Sequence, residues 1–132
     1  MKRYIAVVHH EPGTSYGISF PDFPGCISAG DTFEDAVKSG TDALAAHAAW
    51  MRQDGDAIPE PRDLAEIKAE EDWIDWTDAV VTLVPLLPSS DKVVRVNVTM
   101  NERDLAEIDA AAQAWGMTRS AFLVDAAKRG AA

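Results

Sequence analysis

The first third of the chain alternates short apolar runs with turn residues and then changes to a helical repeat. Runs rich in β-branched and aromatic residues at 4–9 and 16–20, separated by a Glu-Pro-Gly-Thr-Ser cluster, predict a β-hairpin. A third short strand is expected at 26–29, before Gly30 interrupts it. Three strands therefore precede the first helix.

A long amphipathic helix is predicted next. From Asp31 to about Gln53, apolar or small residues recur at steps of three and four, the spacing of one helix face. Asp31 and Thr32 are both suitable N-caps, because each has an acidic residue three positions later. The sequence does not decide between them.

Prolines at 59 and 61 then predict an extended link, and a short helix is expected over 63–71. The continuous apolar run at 79–84 predicts a strand that is buried on both faces and rejoins the first hairpin. The order β-β-β-α-(α)-β indicates an α+β domain over residues 1–88.

Beyond a proline- and serine-rich boundary, a second pattern begins and defines a module over residues 92–132. The segment 92–100 alternates strictly, so one strand face is apolar and the other is mostly hydrogen-bonding. The apolar face contains Val94, Val96, Val98 and Met100, and the other face contains Val93, Arg95, Asn97 and Thr99. Two capped helices follow, the first starting at Asn101 and ending near Gly116, the second starting at Thr118 and ending at Gly130.

A lone strand of this kind cannot be stable, because its backbone groups are unpaired and two short helices cannot cover its apolar face. A second copy solves both problems by pairing the two strands antiparallel. The dimer core is then expected to contain Val94, Val96, Val98, Met100, Leu105, Ile108, Trp115 and Phe122. The module is predicted to fold only as a dimer, and whether dimers join into tetramers stays open.

Charge separates the two parts of the chain. The 132 residues carry a net charge of −10, which by itself argues against nucleic-acid binding. From residue 92 onward, however, six basic and five acidic residues give +1, so residues 1–91 carry −11. This asymmetry suggests different partners for the two parts, unless the acidic residues serve only solubility.

The segment RVNVTMNERDLAEIDAAAQAWGMTRSAFLVDAAKRGA resembles a ribbon-helix-helix domain along its whole length. In that family, alternate polar strand residues contact base edges in the major groove and the start of the second helix holds a phosphate. The resemblance implies base contacts by Arg95, Asn97 and Thr99, and phosphate contacts by Thr118, Arg119 and Ser120. A ribbon used only for dimerisation, or an edge strand of the main sheet, remains an alternative.

The segment YGISFPDFPGCISAGDTFEDA, at 16–36, resembles the hallmark stretch of HicB-like antitoxins, and the likeness covers nearly all of residues 3–85. That family joins an N-terminal domain resembling a partial RNase H fold to a DNA-binding module. The resemblance implies an antitoxin that neutralises a HicA-like, mRNA-cleaving toxin and represses its own operon by binding operator DNA. A ribbon-helix-helix regulator without a toxin partner is an alternative.

The acidic run near residues 70–78 is the best candidate for the toxin contact, because aromatic anchors among carboxylates suit a basic partner. The candidate residues are Asp72, Trp73, Asp75 and Trp76. A solvated loop with both tryptophans tucked under the sheet is an equally good interpretation.

An enzyme is the competing class. A metal-dependent RNase H-like nuclease needs converging carboxylates, and Asp22, Asp31, Glu34 and Asp35 are available. Asp22 lies in a turn and the other three have a sufficient role at a helix start, so no enzyme, cofactor or metal is expected. The adjacent pair His9-His10 would point to opposite strand faces, which disfavours a metal site.

The single cysteine, Cys26, excludes an intrachain disulfide and is expected to be a small buried apolar group. The first residues lack the features of a signal peptide, and no stretch has membrane-spanning length. A cytoplasmic protein without membrane contact is expected.

Overall fold

The computed structural model describes residues 1–89 and 92–131. Its contacts divide the chain into two units, Met1–Asp91 (unit 1) and Lys92–Ala132 (unit 2). Unit 1 contains β1 (Arg3–His10), β2 (Tyr16–Ser19), β3 (Ile27–Gly30), α1 (Phe33–Gln53), α2 (Leu64–Glu70) and β4 (Val80–Pro85), and unit 2 contains α3 (Glu102–Ala114) and α4 (Arg119–Ala131).

Unit 1 is built on a four-stranded sheet of order β3-β2-β1-β4, in which every neighbouring pair is antiparallel. The predicted hairpin is confirmed as β1 and β2, and the last strand rejoins β1 as expected. The third strand includes Gly30, which the sequence pattern placed outside it. The element order of unit 1 is the predicted one, so the α+β class is confirmed at this level.

Helix α1 covers one face of the sheet. The Thr32 hydroxyl accepts from the Asp35 backbone N–H at 3.1 Å, so Thr32 rather than Asp31 is the N-cap. Gly40 lets the helix approach closely, because a Cβ at this position would lie 2.8 Å from a side-chain carbon of Ile18. The core on this face contains Tyr4, Ala6, Val8, Ile18, Phe20, Phe23, Cys26, Leu44, Ala48 and Val84.

Helix α2 and the loop after it cover the other face only in its centre. The Asp63 carboxylate accepts from the Glu66 backbone N–H at 2.8 Å and caps this seven-residue helix. A smaller apolar cluster forms here from Ile5 and Val7 of β1 with Ile67 and Ile74. A helix of two turns cannot span four strands, so no helix within residues 1–89 covers the outer strands of this face.

The expectation that the 79–84 strand is buried on both faces is wrong. Strand β4 is an edge strand, and Leu83 is 58% exposed although its cross-strand neighbour Ile5 is buried. Val80 and Val81 are exposed as well, whereas Val84 is fully buried against α1. Within Val80–Pro85 only Val84 is buried, so a continuously apolar run does not by itself imply burial on both faces.

Unit 2 follows the predicted caps, except that α4 continues through Gly130, which was expected to end it. The Asn101 side chain accepts from the Asp104 N–H at 2.7 Å and the Thr118 hydroxyl accepts from the Ala121 N–H at 3.1 Å. Gly116 has a φ of 66°, the left-handed conformation expected after a helix end. Residues 92–100 form no strand within the single chain. A ladder needs a second strand, and none of the described residues of this chain provides one.

Candidate interaction surfaces

A buried ion pair organises the loops of unit 1. Asp22 is 8% exposed and accepts from Arg62 twice, from Nε at 2.7 Å and from the backbone N–H at 3.1 Å. The same guanidinium donates to Glu70 at 2.8 Å, to Glu71 at 2.9 Å and to the Pro21 carbonyl at 3.2 Å. Arg62 thus ties the corner after β2 to the end of α2.

The two tryptophans of the candidate toxin contact have different environments. Trp76 is partly buried against the cluster under the sheet, and the Lys68 ammonium lies 5.2 Å from its ring centre. Trp73 is 62% exposed, and its indole N–H donates to Glu71 at 2.6 Å. This bond, together with the one from Arg62, lowers the pKa of the Glu71 carboxyl. Of these two tryptophans, Trp73 is the one whose ring is exposed and can contact a partner.

The two aspartates of that candidate site also differ in their partners. The Asp75 carboxylate accepts from the Thr77 backbone N–H at 2.9 Å, which lowers its pKa. The Asp75 carbonyl lies 2.8 Å from the ring nitrogen Nε2 of His9. Asp72 is exposed. Asp75 therefore helps to hold the loop to β1, and Asp72 belongs to the acidic surface around Trp73.

The candidate nuclease carboxylates do not form a metal site among residues 1–89 and 92–131, where no group of three or more His, Cys, Asp or Glu side chains is placed to hold an ion. Asp22 is engaged by Arg62. His10 stacks on Tyr16 with ring centres 3.9 Å apart, and His9 bonds the loop carbonyl. Burial raises the pKa of the Cys26 thiol to about 11.

Four of the six predicted DNA-contacting residues of unit 2 line one trough of about 440 Å³. Asn97, Thr99, Arg119 and Ser120 line it together with the apolar side chains of Val96, Val98, Met100, Leu105 and Leu123. Arg95 and Thr118 do not line it. In the single chain, Val94, Val96 and Val98 are exposed to between 66% and 74%, and Trp115 is exposed as well. These four residues of the expected dimer core are exposed in the single chain, whereas the other four are partly buried: Met100, Leu105, Ile108 and Phe122.

Arg119 has a partner that the sequence analysis missed. Its guanidinium makes a bidentate pair with Asp109 of α3, with Nε at 2.7 Å and Nη2 at 2.8 Å from the two carboxylate oxygens. The pair lowers the pKa of the Asp109 carboxyl. Arg119 can reach a phosphate only by leaving Asp109 or by sharing the guanidinium.

Trp50 and Ile27 were also missed as surface residues, although both are largely exposed. The signal for Trp50 was present, because Ala43, Ala46 and Trp50 form a second apolar row on α1 at steps of three and four. The Arg62–Asp22 pair joins residues 40 apart, and no local pattern marks it.

Residues 4–127 match the sequence model of a family described as the HicB-like antitoxin of bacterial toxin-antitoxin systems. The chain belongs to the HicB-like antitoxin family. It is an antitoxin of a toxin–antitoxin system, as the hallmark stretch predicted, and this family points to a role other than catalysis. None of the helices in the described residues is long and apolar enough to cross a membrane.

Individual relatives agree with this assignment. The antitoxin is similar to the crystal structure of the antitoxin HicB of Burkholderia pseudomallei, with 32% identity, 96% of each chain covered and a TM-score of 0.58. It is 29% identical to Antitoxin HicB 1 of Photorhabdus laumondii over 83% of this chain but only 61% of that protein. An uncharacterized 14.9 kDa protein of Haemophilus phage HP1 is 31% identical over 71% of this chain and 70% of its own length.

Proposed function

We propose that the antitoxin dimerises through residues 92–100 into a ribbon-helix-helix module, binds operator DNA and represses its own operon. Residues 1–88, a partial RNase H-like domain without catalytic activity, neutralise a HicA-like toxin in the cytoplasm. One observation carries the dimer: Ala112 is the only buried hydrophobic residue among the described residues of unit 2. A 41-residue unit that buries so little apolar surface alone needs a partner to complete its core.

The alternation of residues 93–100 gives the geometry of the partner contact. Two such strands, paired antiparallel about a two-fold axis, satisfy each other's backbone groups. The apolar face of each strand then packs against the four helices of the dimer. The outward row then contains Arg95, Asn97 and Thr99 on a two-stranded ribbon, which is narrow enough for a major groove. The exposed start of α4, with Thr118, Arg119 and Ser120, supplies backbone N–H groups for a phosphate.

We expect a small basic protein to be encoded in the adjacent reading frame. Native mass spectrometry of the antitoxin alone, and together with that neighbour, tests the oligomeric state and the toxin contact. We expect an even number of antitoxin copies alone and a stable complex with the neighbour. A gel shift with the DNA upstream of the operon tests operator binding. A monomer that binds neither the neighbour nor the DNA would contradict the proposal.

Asn97→Ala is expected to weaken operator binding by about 1–3 kcal/mol, because an asparagine on the ribbon can make two hydrogen bonds to one base. Dimerisation should be unchanged, since the side chain belongs to the outward row. Fluorescence anisotropy at fixed salt measures the affinity, and Gln113→Ala, an exposed amide on α3, is the control. Equal affinity of both variants for the operator would refute the base contact.

Asp109→Asn is expected to raise DNA affinity several-fold. The slope of the logarithm of the binding constant against the logarithm of the salt concentration should steepen by about 0.9, the value for one added phosphate contact. The reason is that Arg119 is neutralised by Asp109 in the free protein. Asp125→Asn is a matched control. It changes the charge of unit 2 by the same amount, but it frees Arg129 of α4 instead of Arg119. If both variants change the salt slope equally, Arg119 does not contact a phosphate.

A further inference from the structure

The edge of the sheet at β3 exposes a row of large apolar side chains. Ile27, Trp50 and Trp73 are 71%, 64% and 62% exposed, and we call these three residues the edge patch. A groove of about 440 Å³ contains Ile27 and Trp50, and a smaller one of about 190 Å³ contains Ile27 and Trp73. The two grooves share Gly25, Cys26 and Ile27, so the patch is one continuous surface.

The edge strand β3 also has backbone N–H and C=O groups that are not paired with β2. Phe20 N–H donates to the Cys26 carbonyl, so in the antiparallel register Cys26 and Ser28 face β2. The N–H and C=O groups of Ile27 and Ala29 consequently point away from β2, toward the open side of the sheet. A partner at this edge meets both apolar side chains and hydrogen-bonding groups.

Trp73 is held in place although it is exposed. Its indole N–H bonds Glu71, Glu71 is bonded by Arg62, and Arg62 is fixed by the buried Asp22. A tryptophan with its orientation set in this way loses little conformational entropy on binding. Ordered, exposed tryptophans are the residues that most often dominate the energy of an interface.

The charge around the patch selects its occupant. Glu70, Glu71 and Asp72 lie beside Trp73, and residues 1–91 carry −11. A second copy of unit 1 would bring two strongly negative domains together, which is unfavourable, whereas a positively charged protein is attracted. Strand β4 at the opposite edge is uncharged over Val80–Pro85 and lacks this selectivity.

We propose that the cognate toxin, a basic protein, docks on the edge patch with Trp50 and Trp73 as its two anchors. This assignment rests on the proposed toxin neutralisation. It replaces Trp76 and Asp75 of the sequence-based candidate site, which support the loop, and adds Ile27 and Trp50.

The test measures binding of the purified toxin from the adjacent reading frame to full-length antitoxin by biolayer interferometry. Trp50→Ala and Trp73→Ala are each expected to weaken binding by about 10- to 100-fold, and Ile27→Thr by less. Leu83→Thr is the matched control, because Leu83 is an exposed apolar residue on the opposite edge strand. It should bind within about 3-fold of the wild type. Thermal unfolding of each variant verifies the fold.

The outcomes distinguish a wrong docking surface from a wrong toxin partner. If the wild type binds the toxin and both tryptophan variants bind equally well, or if only Leu83→Thr weakens binding, the edge patch is not the docking surface. If the tryptophan variants lower the oligomeric state in light scattering without changing toxin affinity, the patch joins copies of the antitoxin and the inference fails. If the wild type does not bind the toxin, the proposed neutralisation itself is wrong.

Discussion

Replacing Arg62 with alanine is expected to lower the free energy of unfolding of unit 1 by about 3–5 kcal/mol. The side chain of Asp22 is 2% exposed, and its carboxylate would lose the guanidinium that neutralises it. One backbone N–H, that of Arg62 itself, would remain as a donor. A buried charge with a single hydrogen bond is poorly compensated, so the folded state becomes less favourable.

Urea unfolding followed by tryptophan fluorescence measures this loss. Lys2→Ala is the control, because the Lys2–Glu60 ion pair at 2.6 Å lies on the surface, where such pairs contribute little to stability. Adding Asp22→Asn to Arg62→Ala should restore part of the stability by removing the uncompensated charge. If Arg62→Ala costs no more than Lys2→Ala, the pair does not hold the loops together.

The same substitution connects stability to toxin binding. Glu71 would lose the hydrogen bond from Arg62 and keep the one from the Trp73 indole N–H. Trp73 would then be less well oriented, and affinity for the toxin should fall even under conditions in which unit 1 is still folded. The ion pair therefore supports both the fold and the edge patch.

Local signals predicted the parts of the fold that depend on few neighbouring residues. Thr32, Asn101 and Thr118 cap helices because the donor lies three residues away, and a sequence shows that spacing directly. Gly116 ends α3 for an equally local reason. The HicB-like hallmark stretch was sufficient for the family, because it is long and ordered.

Features that depend on distant parts of the chain could not be predicted in this way. Leu83 was placed in a core because its run is continuously apolar, but its exposure depends on the length of α2 and on the position of β4 at the edge. Similarly, Trp73 and Trp76 are three residues apart, and only the contacts with Arg62, Glu71 and the cluster under the sheet distinguish them.

The segment 92–100 depends on a different chain altogether. Its sequence predicts a strand, and the single chain forms none there, with the valines exposed. These two facts agree if the strand forms only upon dimerisation, since a β-strand gains stability from its ladder and from the burial of one face. The pairing of two copies is then the event on which the fold of unit 2 and its DNA binding both depend.

Val96→Asp is therefore expected to raise the dimer dissociation constant more than about 100-fold and to abolish operator binding. The two-fold axis would place two carboxylates on the apolar side of the ribbon, where neither has a cationic partner in the proposed core. Sedimentation equilibrium measures the dimer, and circular dichroism should report loss of helix from α3 and α4 while unit 1 still unfolds at its own midpoint.

Val93→Asp is the matched control, because it changes the same residue type to the same charge on the other row of the alternation. It should keep the dimer and weaken DNA binding only, since its carboxylate would lie on the DNA-facing row with Arg95 and Asn97 and be repelled by the negatively charged DNA. Dimers of equal stability in both variants would mean that the apolar row is not the contact between copies. A dimer lost in both would mean that the segment does not pair as a two-faced strand, because the two rows would then be equally buried.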